Sequence, residues 1–316
     1  MVVRVARRRK GRLIDGLLVV DKPAGISSNA ALQTAKRAFN AAKAGHTGSL
    51  DPLATGVLPL CFGEATKFSR FLLDADKAYL STFRLGVTTA TGDAEGDVLA
   101  SGDPSAITSA QVEQVLAQFI GLIEQTPSMY SAIKHNGQPL YKLAREGKEV
   151  ARKSRSVTIH SLEMLSFEAG EHASVQVRLS CSKGTYVRSI AEDMGQLLGC
   201  GAHVSALRRI SSGPFTIAQS IPLADIEALA ASSNVEALDA LLLPMETILA
   251  ELPEVRLSED SAFYLRQGQA VMVGQCPLQG FVRLVSPSGS LLGVGEPLGD
   301  GRLAPRRLIN TQLPID

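Results

Sequence analysis

The sequence predicts an α+β fold. Three observations carry this. Val175, Val177, Leu179 and Cys181 alternate with polar residues, as in a strand with one buried face. Val112, Val115, Leu116 and Phe119 recur at helical spacing behind Ser109, a helix-capping residue type. Strand-like and helical segments then follow one another in mixed order, with hairpins.

In chain order, residues 16–21 read as a short buried strand. Ser27 or Ser28 caps a helix running to about residue 42, with Leu32, Ala35 and Phe39 inward. A glycine-rich loop around Asp51 follows, then a strand over residues 57–61. Residues 64–73 read as a helix burying Phe68, Phe71 and Leu72, and residues 79–85 as a strand. Residues 88–96 form a polar loop, and the Ser109 helix comes next. Residues 126–155 lack a clean period except near Leu140 to Ala144, which suggests a binding insertion. Residues 190–198 give a short helix ending at Gly199, and residues 204–210 a strand. Residues 221–249 are Leu-rich and helical, and Pro253 marks a boundary. Runs at 281–285 and 291–294, split by the turn SPSGS, read as a hairpin. No internal repeat is visible.

The chain has 316 residues, 45% hydrophobic and 20% charged, enough for two domains with substantial cores. No apolar run approaches the ~20 residues that span a bilayer. The basic start, MVVRVARRRKGR, lacks the apolar core of a secretory signal, so a cytoplasmic location is expected. The four cysteines are widely spaced without zinc-like spacing, which predicts reduced thiols and no metal site.

Net charge is +1, but its distribution is uneven. Residues 1–12 carry six basic and no acidic side chains. Residues 131–160 carry seven basic against two acidic, which leaves 19 basic and 29 acidic elsewhere. Both segments suit phosphate contacts, although a solvated tail accounts equally well for the first. The second lies beside Tyr130 and contains His135 and Tyr141, a combination suited to RNA.

The segment GHTGSLDPLATG, residues 45–56, places one carboxylate, Asp51, among three glycines and Pro52. Pro52 biases Asp51 toward extended backbone, and the small neighbours leave room for a ligand. Taken alone, an Asp-Pro turn capping its own backbone is the favoured explanation of the segment, since Asp and Gly cluster in most loops. Its surroundings decide otherwise. GLLVVDKPAGISS (16–28) lies upstream; LCFGEATKFSRFLLDADKAYL (60–80), CSKGTYVRSIAEDMG (181–195) and LRRISSGPF (207–215) follow in order. Together they resemble the TruB family of tRNA pseudouridine synthases across most of residues 14–215.

That resemblance implies a pseudouridine synthase fold: a large mixed, mainly antiparallel sheet with flanking helices and a basic insertion, plus a small C-terminal PUA-like β domain. The expected division is a basic arm over 1–13, a catalytic domain over 14–250 with its insertion at about 126–155, and the C-terminal domain over 251–316. The implied reaction isomerises uridine 55 in the T-loop of tRNA without a cofactor. The resemblance makes Asp51 the catalytic carboxylate, Arg188 its pairing arginine and Tyr79 the aromatic stacked on the target uracil. It makes Tyr186, Leu207, His46 and Asp93 substrate-binding residues. Asp21 and Lys22 are expected to support the Asp51 loop. Lys142, Arg145 and Arg152 of the insertion are expected to contact RNA phosphates. Asp51 could attack C1′, attack C6 of the base or remove the C2′ proton, and the sequence leaves all three open. The expected partner is tRNA, with a monomeric chain and no obligatory protein partner. A non-catalytic RNA-folding protein, a guide-RNA-dependent relative and a small-molecule enzyme are the alternatives. The intact set Asp51, Tyr79 and Arg188 speaks against the first. The basic insertion speaks against the second, and the clustered basic residues against the third.

Overall fold

The computed structural model describes residues 11–131 and 133–310. The arm predicted over residues 1–13 therefore falls outside the described residues except for its last three.

The chain opens with β1 (Gly16–Lys22), α1 (Ser28–Ala38), β2 (Ala44–His46) and β3 (Thr55–Phe62). A 3₁₀ turn over Gly63–Phe68 leads into α2 (Ser69–Asp74) and β4 (Lys77–Leu85). Then come the hairpin β5 (Val87–Thr89) and β6 (Val98–Ser101), helix α3 (Ser109–Leu116) and β7 (Gly121–Gln125). The insertion holds a second hairpin, β8 (Lys134–His135) and β9 (Gln138–Pro139), and α4 (Leu140–Arg145). Next are β10 (Arg155–Glu168), β11 (Ser174–Cys181), α5 (Val187–Leu197) and β12 (Ala202–Ser212). Short strands β13 (Phe215–Thr216) and β14 (Ile221–Pro222) precede α6 (Leu223–Ala231) and α7 (Val235–Asp239). The C-terminal part contains β15 (Glu254–Arg256), α8 (Glu259–Arg266), β16 (Val271–Met272), β17 (Val282–Val285), β18 (Leu291–Pro297) and β19 (Arg302–Leu308).

The result is α+β, with one large sheet ordered β14-β1-β3-β12-β4-β11-β10-β7 and a five-stranded C-terminal sheet ordered β15-β17-β18-β19-β16. The large sheet is mainly antiparallel; β1 with β14 and β3 with β12 are its parallel pairs. In β4, Lys77, Tyr79, Ser81, Phe83 and Leu85 are buried in strict alternation. Their face packs with Val112, Leu116, Val177 and Ile190 in the main core. The C-terminal sheet has its own core around Leu257, Leu265, Leu284 and Leu303. It is fixed to the large sheet by Leu291 and Val294, which pack with Leu17, Phe68 and Leu249.

Several elements differ from expectation. Helix α1 ends at Ala38 because Asn40 turns into the left-handed region at φ 46°, a conformation Asn tolerates. The cap of α3 is Thr108, which forms a reciprocal capping box with Gln111. Residues 221–249 are two short helices and a 3₁₀ turn, broken where Ser233 takes φ 57°. The fourteen-residue β10, a strand the sequence reading does not include, carries bulges near Ser161 and Ser166 that shift its facing pattern. The polar loop of 88–96 sits within the β5–β6 hairpin. Among the described residues, no helix is long and apolar enough to cross a membrane.

Candidate active site

Asp51 lies on the connection from β2 to β3, and the residues around it fix that loop tightly. Leu50 and Ala54 plug into the main core on either side, 6% and 0% exposed. The Leu50 amide donates to Ser28 Oγ at 2.7 Å. The Pro52 carbonyl accepts from the Gly25 amide at 2.8 Å and from Lys22 Nζ at 3.3 Å. Lys22 also donates to the carbonyls of Pro23 and Ile26, so it clamps the opening turn to the Asp51 loop. Burial of this ammonium lowers its pKa to about 8. Asp21 pairs with Arg208 at 2.6 Å. Both residues thus support the loop rather than face the cleft.

With its neighbours anchored, the Asp51 side chain projects into the cleft, 37% exposed. Desolvation raises its pKa; Arg188 opposes this rise, Asp93 reinforces it and Lys22 opposes it. Arg188 stands in the first turn of α5 with its side chain 4% exposed. Its Nε is 3.0 Å from Asp51 Oδ2, and Nη1 donates to the Thr91 carbonyl at 2.8 Å. Nη1 also lies 3.7 Å from Asp93 Oδ2, and Nη2 donates to the Tyr130 carbonyl at 3.0 Å. Asp93 is buried, and its Oδ1 accepts from Thr91 Oγ1 at 2.6 Å and from the Glu95 amide at 3.1 Å. One guanidinium therefore joins Asp51, the 91–93 loop and the base of the insertion. Such fork-like pairing suits arginine and not lysine.

Asp51, Tyr79, Tyr186, Arg188 and Leu207 line one chamber of about 280 Å³. Tyr79 and Leu207 reach it from adjacent strands β4 and β12. Burial raises the Tyr79 pKa, so its hydroxyl holds its proton. Tyr186 caps α5; its amide donates to Gln125 Oε1 at 2.9 Å, and Arg155 stacks 4.6 Å over its ring. A second chamber shares Asp51 and Arg188 and is walled by His46, Asp93, Tyr130, Tyr141 and Arg145. Burial, helped by the Arg209 charge, lowers the His46 pKa and keeps its ring neutral near pH 7.

The insertion residues divide. Arg145 is exposed, stacks 5.7 Å from the Tyr141 ring and faces the second chamber. Lys142 is exposed but lines neither chamber. Arg152 is turned inward, donating to the Pro127 carbonyl at 3.2 Å and to Glu149 Oε1 at 3.1 Å.

Two buried cations in the lining of the first chamber escaped the sequence reading. Arg209 is 1% exposed in the floor of the first chamber. Period-2 alternation was the available signal, since Leu207 and Arg209 must share a face of β12. Lys77 is buried behind Tyr79, and its Nζ donates to the carbonyls of Leu72, Leu73 and Ala75, closing the end of α2.

Three family models match consecutive parts of the chain. TruB family pseudouridylate synthase (N terminal domain) matches residues 36–187. The tRNA pseudouridylate synthase B C-terminal domain matches residues 188–250, and Pseudouridine synthase II TruB, C-terminal, matches residues 253–309. The chain is 55% identical to tRNA pseudouridine synthase B of Pseudomonas aeruginosa (strain UCBPP-PA14), covering 96% of this chain and 99% of that protein. It is 54% identical to tRNA pseudouridine synthase B of Coxiella burnetii (strain RSA 493), covering 94% and 96%. Among solved structures, one of a Cbf5-Nop10-Gar1 complex contains a chain of TM-score 0.68 at 28% identity, over 89% of this chain and 78% of that one.

Proposed function

Because the chain belongs to the TruB family of pseudouridine synthases, we propose that it isomerises uridine 55 in the T-loop of tRNA, with Asp51 as the nucleophile and no cofactor. By its family the chain is a tRNA pseudouridine synthase. The observation that carries the finer reading is the Asp51–Arg188 pair at 3.0 Å in a chamber shared with Tyr79 and Leu207.

Arg188 holds the carboxylate ionised against desolvation, as a nucleophile or base requires. Tyr79 and Leu207 take the uracil between an aromatic and an apolar surface, a contact that holds a base by its face. Tyr186 closes the chamber from the α5 side. His46 and Asp93 line the adjacent chamber, which receives the nucleotides beside the target. Extruding the uridine costs a few kcal/mol of unstacking. Phosphate contacts by the basic insertion at about 126–155, chiefly Lys142 and Arg145, supply the compensating binding energy, with Arg152 bracing the insertion. In this reading residues 14–250 form the catalytic domain and 251–316 an RNA-binding appendage. The protein works as a cytoplasmic monomer with tRNA as its partner.

The test is to incubate the purified protein with unmodified tRNA transcript and map pseudouridine, comparing wild type with Asp51→Ala. Modification at position 55 by wild type alone is the expected result. Tight binding of tRNA with no modification by either protein overturns the reading in favour of an RNA-folding role.

A further inference from the structure

Arg209 is the wholly buried cation in the floor of the first chamber. It lies directly across the antiparallel β4–β12 pairing from Tyr79, so the two side chains stand side by side. Its Nε donates to the Val57 carbonyl at 2.7 Å. Its Nη2 is buried and has no hydrogen-bond partner. Arg209 takes part in none of the ion pairs found among the described residues, whereas its strand neighbour Arg208 is paired with Asp21. The charge is felt nearby: it lowers the pKa values of His46, Lys77 and Lys22 behind the larger effect of burial, and, together with a hydrogen bond to the Tyr79 hydroxyl, it opposes the burial that raises the Tyr79 pKa.

The other cations of the chamber are committed. Arg188 serves Asp51, Thr91 and Tyr130, and Lys77 serves three carbonyls. Arg155 also has a buried Nε without a partner, but it is only half-buried, over the Tyr186 ring. A buried donor without a partner, on a buried charge without a counter-ion, is costly in the empty protein. The cost is recovered when an acceptor that gains negative charge enters the chamber.

The reaction supplies such an acceptor. The C1′–N1 bond breaks with its electron pair passing to the base, where it spreads over N1, O2 and O4. C5 then returns a pair to C1′, the C5 proton departs, and N1 takes up a proton, so no atom is gained or lost. Addition of Asp51 to C6 instead places the charge on the C4 oxygen. Every route from Asp51 thus makes the base transiently anionic. Resting on the function proposed above, we infer that Arg209 is a catalytic residue whose free guanidinium N–H binds a carbonyl oxygen of the target uracil and stabilises the charge developing on it.

The test uses the full chain in single-turnover reactions on two tRNA transcripts, one with uridine and one with 5-fluorouridine. Fluorine withdraws electrons and stabilises the base anion by itself. Loss of the N1-linked nucleoside at the target is the readout. Arg209→Met is expected to react about 10²-fold more slowly than wild type on uridine, the usual scale for one such donor. On 5-fluorouridine the loss is expected to be roughly tenfold smaller, with tRNA binding retained in both cases. Arg209→Lys keeps a cation and decides the matter by the same comparison if the Met variant does not fold. Equal losses on the two transcripts, or no loss on uridine, overturn the assignment of Arg209 alone. A wild type that converts neither transcript overturns the reaction itself.

Discussion

Arg188 donates to the backbone carbonyl of Tyr130 at 3.0 Å with the same guanidinium that sits 3.0 Å from Asp51. The Asp51 carboxylate and the foot of the 126–155 insertion are thereby held by one guanidinium. Replacing Arg188 by Lys keeps a charge but cannot span Asp51, Thr91 and Tyr130 together. The expected outcome is a fall in kcat of about 10²-fold or more, with faster proteolytic cleavage within 126–155. A Lys variant with wild-type kcat and an equally protected insertion contradicts the coupling.

With Asp51 in its proposed role, its raised pKa sets an acid limit on activity. An acid whose pKa is raised picks up its proton at a higher pH than a free aspartate, whose value is about 3.9. The proposed role needs the ionised form, so kcat/KM is expected to fall as pH drops through the raised value. Arg188→Met removes the main group opposing the rise and should move this limb further up. A pH–rate profile checks both points; a limb unmoved by that substitution argues against Asp51 as its source.

Lys22 offers a test of loop support apart from substrate contact. Lys22→Met leaves the carbonyls of Pro23, Ile26 and Pro52 without this donor, while removing a buried charge. Since an unsatisfied buried group costs ~1–3 kcal/mol, the net destabilisation is about 2 kcal/mol. A folded-state pKa near 8 against the ordinary 10.5 means the unfolded chain binds more protons between those values. The contribution of Lys22 to stability therefore rises with pH across that window, and the deficit of the Met variant should widen there. Thermal melts from pH 7 to 10 measure this. Wild-type kcat at full stability in the variant shows that the clamp is dispensable.

The salt dependence of tRNA binding separates the insertion residues. Lys142→Gln and Arg145→Gln should each lower the slope of log K against log salt by about 1, as expected for one phosphate contact. Arg152→Gln should change the slope less, because its guanidinium is held by Pro127 and Glu149. Binding titrations over a range of salt concentrations decide, and three equal slopes at the wild-type value remove the insertion from the phosphate interface.

Gly56 of β3 lies opposite Arg209 of β12 in their parallel pairing. Its φ is +103°, and an added Cβ would lie 2.2 Å from the Arg209 carbonyl oxygen. Gly56→Ala should force these strands apart and distort the chamber floor, giving a lower melting temperature and a lower kcat together. An alanine variant as stable and active as wild type shows that the strands can yield without consequence.

Much of this was legible in the sequence for identifiable reasons. Alternation in 175–181 announced one central strand, and 79–85 read as another; each buries one regular face. The Asp51 loop announced itself through Gly48, Pro52 and Gly56, residues chosen for backbone shape. Strand β10 was hidden because its bulges break the period, and the end of α1 because Asn40 adopts positive φ without a glycine. Arg209 was overlooked because an arginine reads as surface, although its spacing from Leu207 places both on one face. The tie from Arg188 to Tyr130 is carried by a backbone carbonyl, which no side-chain pattern announces.

The sheet order has a bearing on how the molecule is made. Strands β3 and β4 are near neighbours in sequence, yet they never pair with each other; β12 lies between them. As the chain leaves the ribosome, the edges of β3 and β4 wait for residues 202–212, more than a hundred positions later. A chain ending before Ala202 therefore carries the Asp51 loop and Tyr79 beside two unsatisfied strand edges, open to pairing with other chains. Pairing of this last central strand joins β3 to β4 and brings Leu207 and Arg209 into the chamber beside Asp51 and Tyr79.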